Sequence, residues 1–143
     1  VTALVPAASL PPCSSDDLAL VMALRERIDA ELEPCEFPTE NFFHAGVYVR
    51  TCLVPKDTVL AGAVIKIPTV VIVSGHCYVQ AGKDTRELKG YVVLKGAAGR
   101  SQVFRAIEDT FITMLFASDA DSIERAEEEF TDEFENLLTR RKP

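Results

Sequence analysis

Two histidines, four cysteines and twenty-two carboxylates are the side chains through which this 143-residue chain could do acid–base, nucleophilic or metal chemistry. A hydrolytic triad needs a base beside its nucleophile. The only imidazoles are His44 and His76, and neither is accompanied by a G-x-S-x-G turn. Both fall in strand patterns and are assigned structural or surface roles. A metal centre needs several ligands converging from neighbouring strands. Between residues 41 and 117 the supply is those two histidines, Cys52, Cys77 and five scattered acids. Cys13, Cys35, Cys52 and Cys77 form no C-x-x-C pair, which argues against a zinc knuckle. They read as free, buried or half-buried thiols, and nothing requires a Cys13–Cys35 bridge. Glu108 and Asp109 are adjacent in an apparent turn, so they point apart instead of flanking a scissile bond. Gly96-Ala-Ala-Gly99 lacks the following helix and the Lys-Ser/Thr ending of a phosphate loop. No catalytic residue, metal or cofactor is expected, and the chain is expected not to be an enzyme.

The elements that would position these groups can be read from periodicity. From Phe42 to Phe116, short β-branched runs alternate with turn residues every eight to twelve positions. They are GVYVRTCLV, VLAGAVIKI, TVVIV, HCYVQ, YVVLK, SQVFRAI and TFITMLF, separated by PKD, SG, AGKD, GAAG and ED. Seven or eight short strands at this spacing predict an antiparallel sandwich or barrel, not a βαβ sheet. Ahead of it, Ser14 or Ser15 followed by Asp16 and Asp17 predicts a helix start. Leu18, Val21, Leu24, Ile28 and Leu32 then recur at helical spacing to about residue 33, where Pro34 and Pro38 stop the helix. Behind the strands, Ser118 or Asp119 is expected to cap a second helix. Ile123, Ala126, Phe130, Phe134 and Leu137 or Leu138 form its apolar stripe, and Arg140, Arg141 and Lys142 follow its end. The organisation is therefore an arm and helix over 1–40, a β domain over 41–117 and a helix over 118–143.

Charge divides along the same lines. Residues 1–40 carry 8 acids and 2 bases, residues 41–117 carry 5 and 9, and residues 118–143 carry 9 and 4. A basic body between acidic flanks suits pairing of a flank with the body of another copy, or simply solvated helix faces. It does not suit nucleic acid, which wants a basic footprint and aromatic platforms. No apolar run is long enough to span a bilayer. The first residues lack a basic segment and are interrupted by Pro6, Pro11 and Pro12, so they do not read as a signal peptide, and synthesis in the cytoplasm is expected. The absence of Met before Val1 reads as ordinary trimming. Residues 1–13 are uncharged and carry three prolines. They are expected to lie extended on their own domain or on a neighbour.

Three segments carry a resemblance: HAGVYVRTCLVPKDTVLAG, the IVSG turn, and VVLKGAAGRSQVFRAIEDTFITMLFASDADSIERAEEEF. Their landmarks are Pro55, Asp57, Thr58, Val59, Leu60 and Gly62, then Glu108, Asp109 and Thr110, then Asp119 and Ile123. From His44 to about Leu138, two-thirds of its length, the chain resembles a family of small cupin-like proteins encoded in tailed phages and prophages. The resemblance implies a mainly β fold, a cupin-like antiparallel β-barrel or jelly roll with an N-terminal and a C-terminal helix. Where members keep histidines after the V-L-x-G bend, this chain has apolar or small residues around Ile65 and Thr69. The position ending the TFITMLF strand is Phe116, so metal-dependent chemistry is expected to be lost. The function so implied is non-enzymatic. The chain would be a cement or decoration subunit on the surface of a phage particle, binding the major capsid protein and forming a homodimer. Val5, Pro6, Leu10, Pro11, Pro12, Phe130 and Phe134 are its expected partner-binding residues. The alternatives are a metal-free small-molecule binder or sugar isomerase-like enzyme using His76, Tyr78 or Lys66 inside the barrel, and a phage regulatory or host-interacting protein.

Overall fold

The computed structural model describes residues 8–33, 37–81 and 84–137. Val5, Pro6, Cys35 and Leu138 lie outside the described residues. The elements are β1 (Ala8–Leu10), α1 (Ser15–Glu31), β2 (Thr39–His44), β3 (Val47–Val54), β4 (Val59–Ala61), β5 (Thr69–Ala81), β6 (Asp84–Gly96), β7 (Gln102–Ala106), β8 (Thr110–Ala117) and α2 (Ile123–Phe130), followed by a 3-10 turn over Phe134–Asn136. One layer has the strand order β1-β6-β5-β8-β3-β2; β7 extends the other layer from β5, and β4 pairs with β7. Every pairing is antiparallel except β1 with β6. No helix among the described residues is long and apolar enough to cross a membrane.

The two layers are joined by strands longer than the sequence suggested. TVVIV and HCYVQ are not two strands but one, β5. Its first half pairs with β8 through Val70–Ser74, and its second half pairs with β7 through Cys77–Ala81. The change of partner occurs at Gly75, where φ is 142° and the facing residue on β6 is Gly90. A Cβ on Gly75 would sit 2.7 Å from both the Asp109 carbonyl oxygen and the Thr110 hydroxyl, so only glycine fits this corner. Thr110 is fully buried and holds the corner in place. Its hydroxyl accepts from the His76 N–H at 3.1 Å and lies 2.9 Å from the Glu108 carbonyl to which it can donate. The Pro55–Thr58 bend is tied to the same place, because the Lys56 N–H donates to Asp109 Oδ1 at 2.8 Å. The SG, PKD and EDT segments are thus one structural knot.

Ser14 caps α1. Its hydroxyl accepts from the Asp17 N–H at 3.1 Å, and the Asp17 carboxylate accepts from the Ser14 N–H in return. The second helix departs from expectation at both ends. Ser122, not Ser118 or Asp119, provides the N-cap, accepting from the Arg125 N–H. The Ser118 hydroxyl is occupied by the Ala120 N–H and by Glu129. The helix ends at Phe130, whose carbonyl accepts from the Lys66 N–H at 2.8 Å. Thr131 follows, extended and fully buried. A stripe that looks continuous to Leu138 is therefore broken by a contact with the loop ahead of β5.

The interior has two parts that run into each other along β3 and β8. Leu10, Val54, Val71, Val73, Cys77, Val79, Leu88, Leu94, Phe104, Ala106 and Ile112 form a hydrocarbon core between the layers. Tyr48, Phe116, Ala126 and Phe130 form a second cluster, with Ile65, Ile67 and Met114 against it. That second cluster is α2 inserted into one end of the barrel.

Candidate functional site

The barrel end that would serve as a ligand mouth is closed by the chain itself. Tyr48, Arg50, Cys52 and Val54 are the inward residues of β3, and Ile112, Met114 and Phe116 those of β8, as alternation requires. α2 brings Glu127 and Phe130 onto them. Arg50 Nη1 pairs with Glu127 Oε2 at 3.1 Å, with side-chain exposures of 14% and 1%. The Arg50 guanidinium also lies 5.6 Å from the centre of the Phe130 ring. The Tyr48 hydroxyl donates to Asn41 Oδ1, and the Tyr48 ring packs against Phe43, Phe116 and Phe130. Burial pushes the Tyr48 phenol up from its ordinary value. Burial likewise raises the thiols of Cys52 and Cys77 to about 11 each, which keeps them protonated and poor nucleophiles near neutrality.

The positions at which the resemblance places ligating histidines are part of this filling. Ile65 and Phe116 belong to the aromatic cluster, and Thr69 is buried, accepting from Arg100 Nη2 at 2.6 Å. Arg100 itself is 2% exposed and lies where a Cβ on Gly96 would have been. Burial lowers its pKa to about 10. Among the described residues, no group of three or more His, Cys, Asp or Glu converges. Cys13, Cys52 and Cys77 are free thiols.

The residues proposed for chemistry inside the barrel are elsewhere. His76 and Tyr78 alternate with the buried Cys77 and Val79 on β5, so they face outward. There both contact Glu87 Oε2, His76 through Nε2 at 3.0 Å and Tyr78 through its hydroxyl at 3.1 Å. These bonds hold the Glu87 carboxyl below its usual range, and the Tyr78 phenol is raised because it donates to that carboxylate. Lys66 is exposed and paired with Asp132. His44 is exposed at the end of β2.

The expected partner-binding residues divide. Leu10 and Phe130 are 1% and 2% exposed, and both are spent on the chain's own interior. Phe134 is half-buried, and Pro11 and Pro12 are exposed. The acidic C-terminal flank does find the basic body, but within one chain. Its pairs are Arg50–Glu127, Lys66–Asp132 and, with α1, Arg25–Glu133. Glu133 also accepts from the Val64 N–H at 2.7 Å.

Sequence reasoning missed the outer face of the six-stranded layer. The strand registers place Phe42, Val49, Leu115, Val70 and Lys95 in one row. Glu40, Thr51, Thr113, Ile72 and Val93 form the next, and Leu53, Phe111, Ser74 and Tyr91 a third. Phe42, Val70, Tyr91, Val93 and Phe111 are 37–69% exposed. Charge appears only at the margins, Glu40 on β2 and Lys95 on β6. The signal was present in VYVRTCLV, TVVIV, YVVLK and TFITMLF, which are apolar on both alternations, as strands covered on both faces are.

No protein-family model matches the sequence, and no curated protein does. Solved structures do resemble the fold. A cupin superfamily protein from Desulfitobacterium hafniense superposes with a TM-score of 0.50 at 11% identity, covering 62% of this chain and 84% of that one. KdgF from a Halomonas species gives 0.50 at 15% identity over 62% and 86%. A Photorhabdus luminescens protein gives 0.50 at 9% identity over 62% and 81%. The chain is a mainly β protein with the cupin fold.

Proposed function

We propose that this chain is a non-enzymatic binding protein that works through its outer surfaces, and that the apolar face of its six-stranded layer is covered by a second copy. The observation that carries this is the contiguous face built on Phe111, Tyr91, Val93, Val70 and Phe42, beside an interior that α2 has closed. Exposed apolar patches of this kind mark association surfaces. The five strands that carry these rows, at about 4.8 Å, and three rows at about 7 Å give roughly 500 Å² in projection. With side-chain relief added, that is of the order of the about 800 Å² per partner buried in stable complexes. A two-fold axis along the strands lays the Glu40 edge of one copy over the Lys95 edge of the other, so the margins are complementary.

The finer reading, a cement or decoration subunit on a phage capsid, is supported by the resemblance alone. In it the dimer would grip the shell through the exposed Pro11–Pro12 segment. Mass spectrometry of purified virions tests it: a fixed ratio to the shell protein is expected, and absence from particles overturns it. The dimer is tested separately by sedimentation. Wild-type protein is expected to sediment as a dimer at about 10 μM, and Phe111→Glu as a folded monomer. A monomeric wild type at that concentration removes the proposal.

A further inference from the structure

α1 lies across the outer face of the small layer, on the side of the sandwich opposite the apolar face, and covers it incompletely. Val21 is its one fully buried residue. Leu24 and Ile28 form a roof over Val59, Val103, Tyr78 and Arg105, and the groove between them encloses about 300 Å³. The strand registers put Val59, Arg105, Tyr78 and Glu87 side by side across β4, β7, β5 and β6. The polar groups at this floor are unequal in what they have left to offer. Tyr78 donates to Glu87, whose carboxylate is also in contact with His76, and Gln80 accepts from Thr85 at 2.8 Å. Arg105 is exposed, and no carboxylate among the described residues pairs with it.

We infer that this groove binds a short aliphatic carboxylate, its chain held between Leu24 and Ile28 above and Val59 and Val103 below, its head group on Arg105. The apolar walls select the chain, because burying it removes hydrocarbon from water on both sides. The guanidinium selects the head group, since its planar N–H fork matches a carboxylate with two parallel hydrogen bonds. The volume sets the size. It stands at the lower end of the about 300–1,000 Å³ of ligand pockets, which fits a chain of about six to ten carbons. Glu87 does not cancel the attraction, because it lies two strands from Arg105 and its charge is engaged by His76 and Tyr78.

The probe is octanoate, followed by calorimetry and by backbone amide shifts. Saturable binding is expected, with shifts at Ile28, Gln80 and Val103. Arg105→Gln is expected to weaken it by about tenfold or more, and octanol, the same chain without the charge, to bind wild type about tenfold more weakly. Ile28→Trp, which fills the groove from the roof, should remove binding while leaving Arg105 in place. No saturation up to the solubility limit overturns the inference. So does equal affinity for Arg105→Gln, or for octanol, either of which would make the groove a mere apolar gap. The groove and the apolar face are on opposite layers, so the monomeric Phe111→Glu protein is expected to bind octanoate as wild type does.

Discussion

The two sides of the six-stranded layer are built from alternate residues of the same strands, yet they end in opposite conditions. On β3, the inward Tyr48, Arg50, Cys52 and Val54 each meet another element of the chain: the β2 edge, α2 or the small layer. The outward Val49, Thr51 and Leu53 lie beside Leu115, Thr113 and Phe111 of β8, Thr51 and Thr113 sharing a hydrogen bond of 2.8 Å. A cupin barrel ordinarily has its useful concavity inside. Here the C-terminal segment has taken that space, with Phe130 as filling and Glu127 as counter-charge for Arg50. α1, the other helix, covers the small layer and leaves the more apolar face bare. Among the described residues the greasiest face is the open one, and it is the face to which the proposed dimer contact is assigned.

The inward side is where substitutions should cost most. Phe130→Ala removes a ring that is 2% exposed and opens the plug, so a loss of about 3–5 kcal/mol is expected in urea unfolding. Phe134, half-buried on its 3-10 turn, should cost less, about 1–2 kcal/mol. A loss from Phe130→Ala no larger than from Phe134→Ala would mean α2 is docked loosely and the mouth is accessible. Glu127→Ala strands the Arg50 cation beside an aromatic cluster and should cost about 3 kcal/mol. The double replacement Arg50→Met with Glu127→Met should recover most of that, because no charge is left unpaired. A double variant as unstable as the single would show that the ion pair is not what Glu127 contributes.

The corner between the layers should come next. Thr110→Val keeps the shape but leaves the His76 N–H without its acceptor, for an expected loss of about 2 kcal/mol. The interior thiols give a weaker, pH-dependent signature. Cys52 and Cys77 hold their protons to about 11 in the folded protein, above the unfolded value of 9.0. Their contribution is therefore fully present below pH 9.0 and is lost as pH rises through about 11. Between these limits the urea midpoint should fall more steeply for wild type than for Cys77→Ala. Parallel curves would mean that the thiol is reached by solvent.

Much of this architecture was legible in residue spacing, and the exceptions have physical reasons. The β-branched runs, the Ser14 cap and the apolar stripe through Phe130 all follow from local periodicity. The fusion of TVVIV and HCYVQ into β5 did not, because a Ser-Gly pair that signals a turn in isolation becomes a corner when Thr110, thirty-five residues on from Gly75, packs against Gly75 and bonds to the adjoining His76. The early end of α2 was equally hidden, since the Lys66 N–H that takes the Phe130 carbonyl comes from a distant loop. Of the candidate surface, Leu10 and Phe130 are marked by their apolarity, which is the same property that buries them. The outer face is hard to read from spacing because these strands are apolar on both alternations, so the pattern does not say which side meets water.

The smallest effect on stability is the one that separates the two sides most sharply. Val93 is 37% exposed in the row that also holds Ile72 and Thr113, and no helix among the described residues covers that row. In the monomer, Val93→Glu places a charge where water already reaches, so unfolding of dilute protein should change by no more than about 0.5 kcal/mol. In the dimer the same carboxylate would be driven into apolar surface without a partner. Sedimentation at about 10 μM should then show a folded monomer, and the concentration dependence of the melting temperature expected of the wild-type dimer should be absent. Val93→Glu with a wild-type dimer would place the interface elsewhere. Val93→Glu that unfolds the dilute monomer would mean the outward side is packed by the chain itself, and the contrast between the two sides of the sheet would disappear.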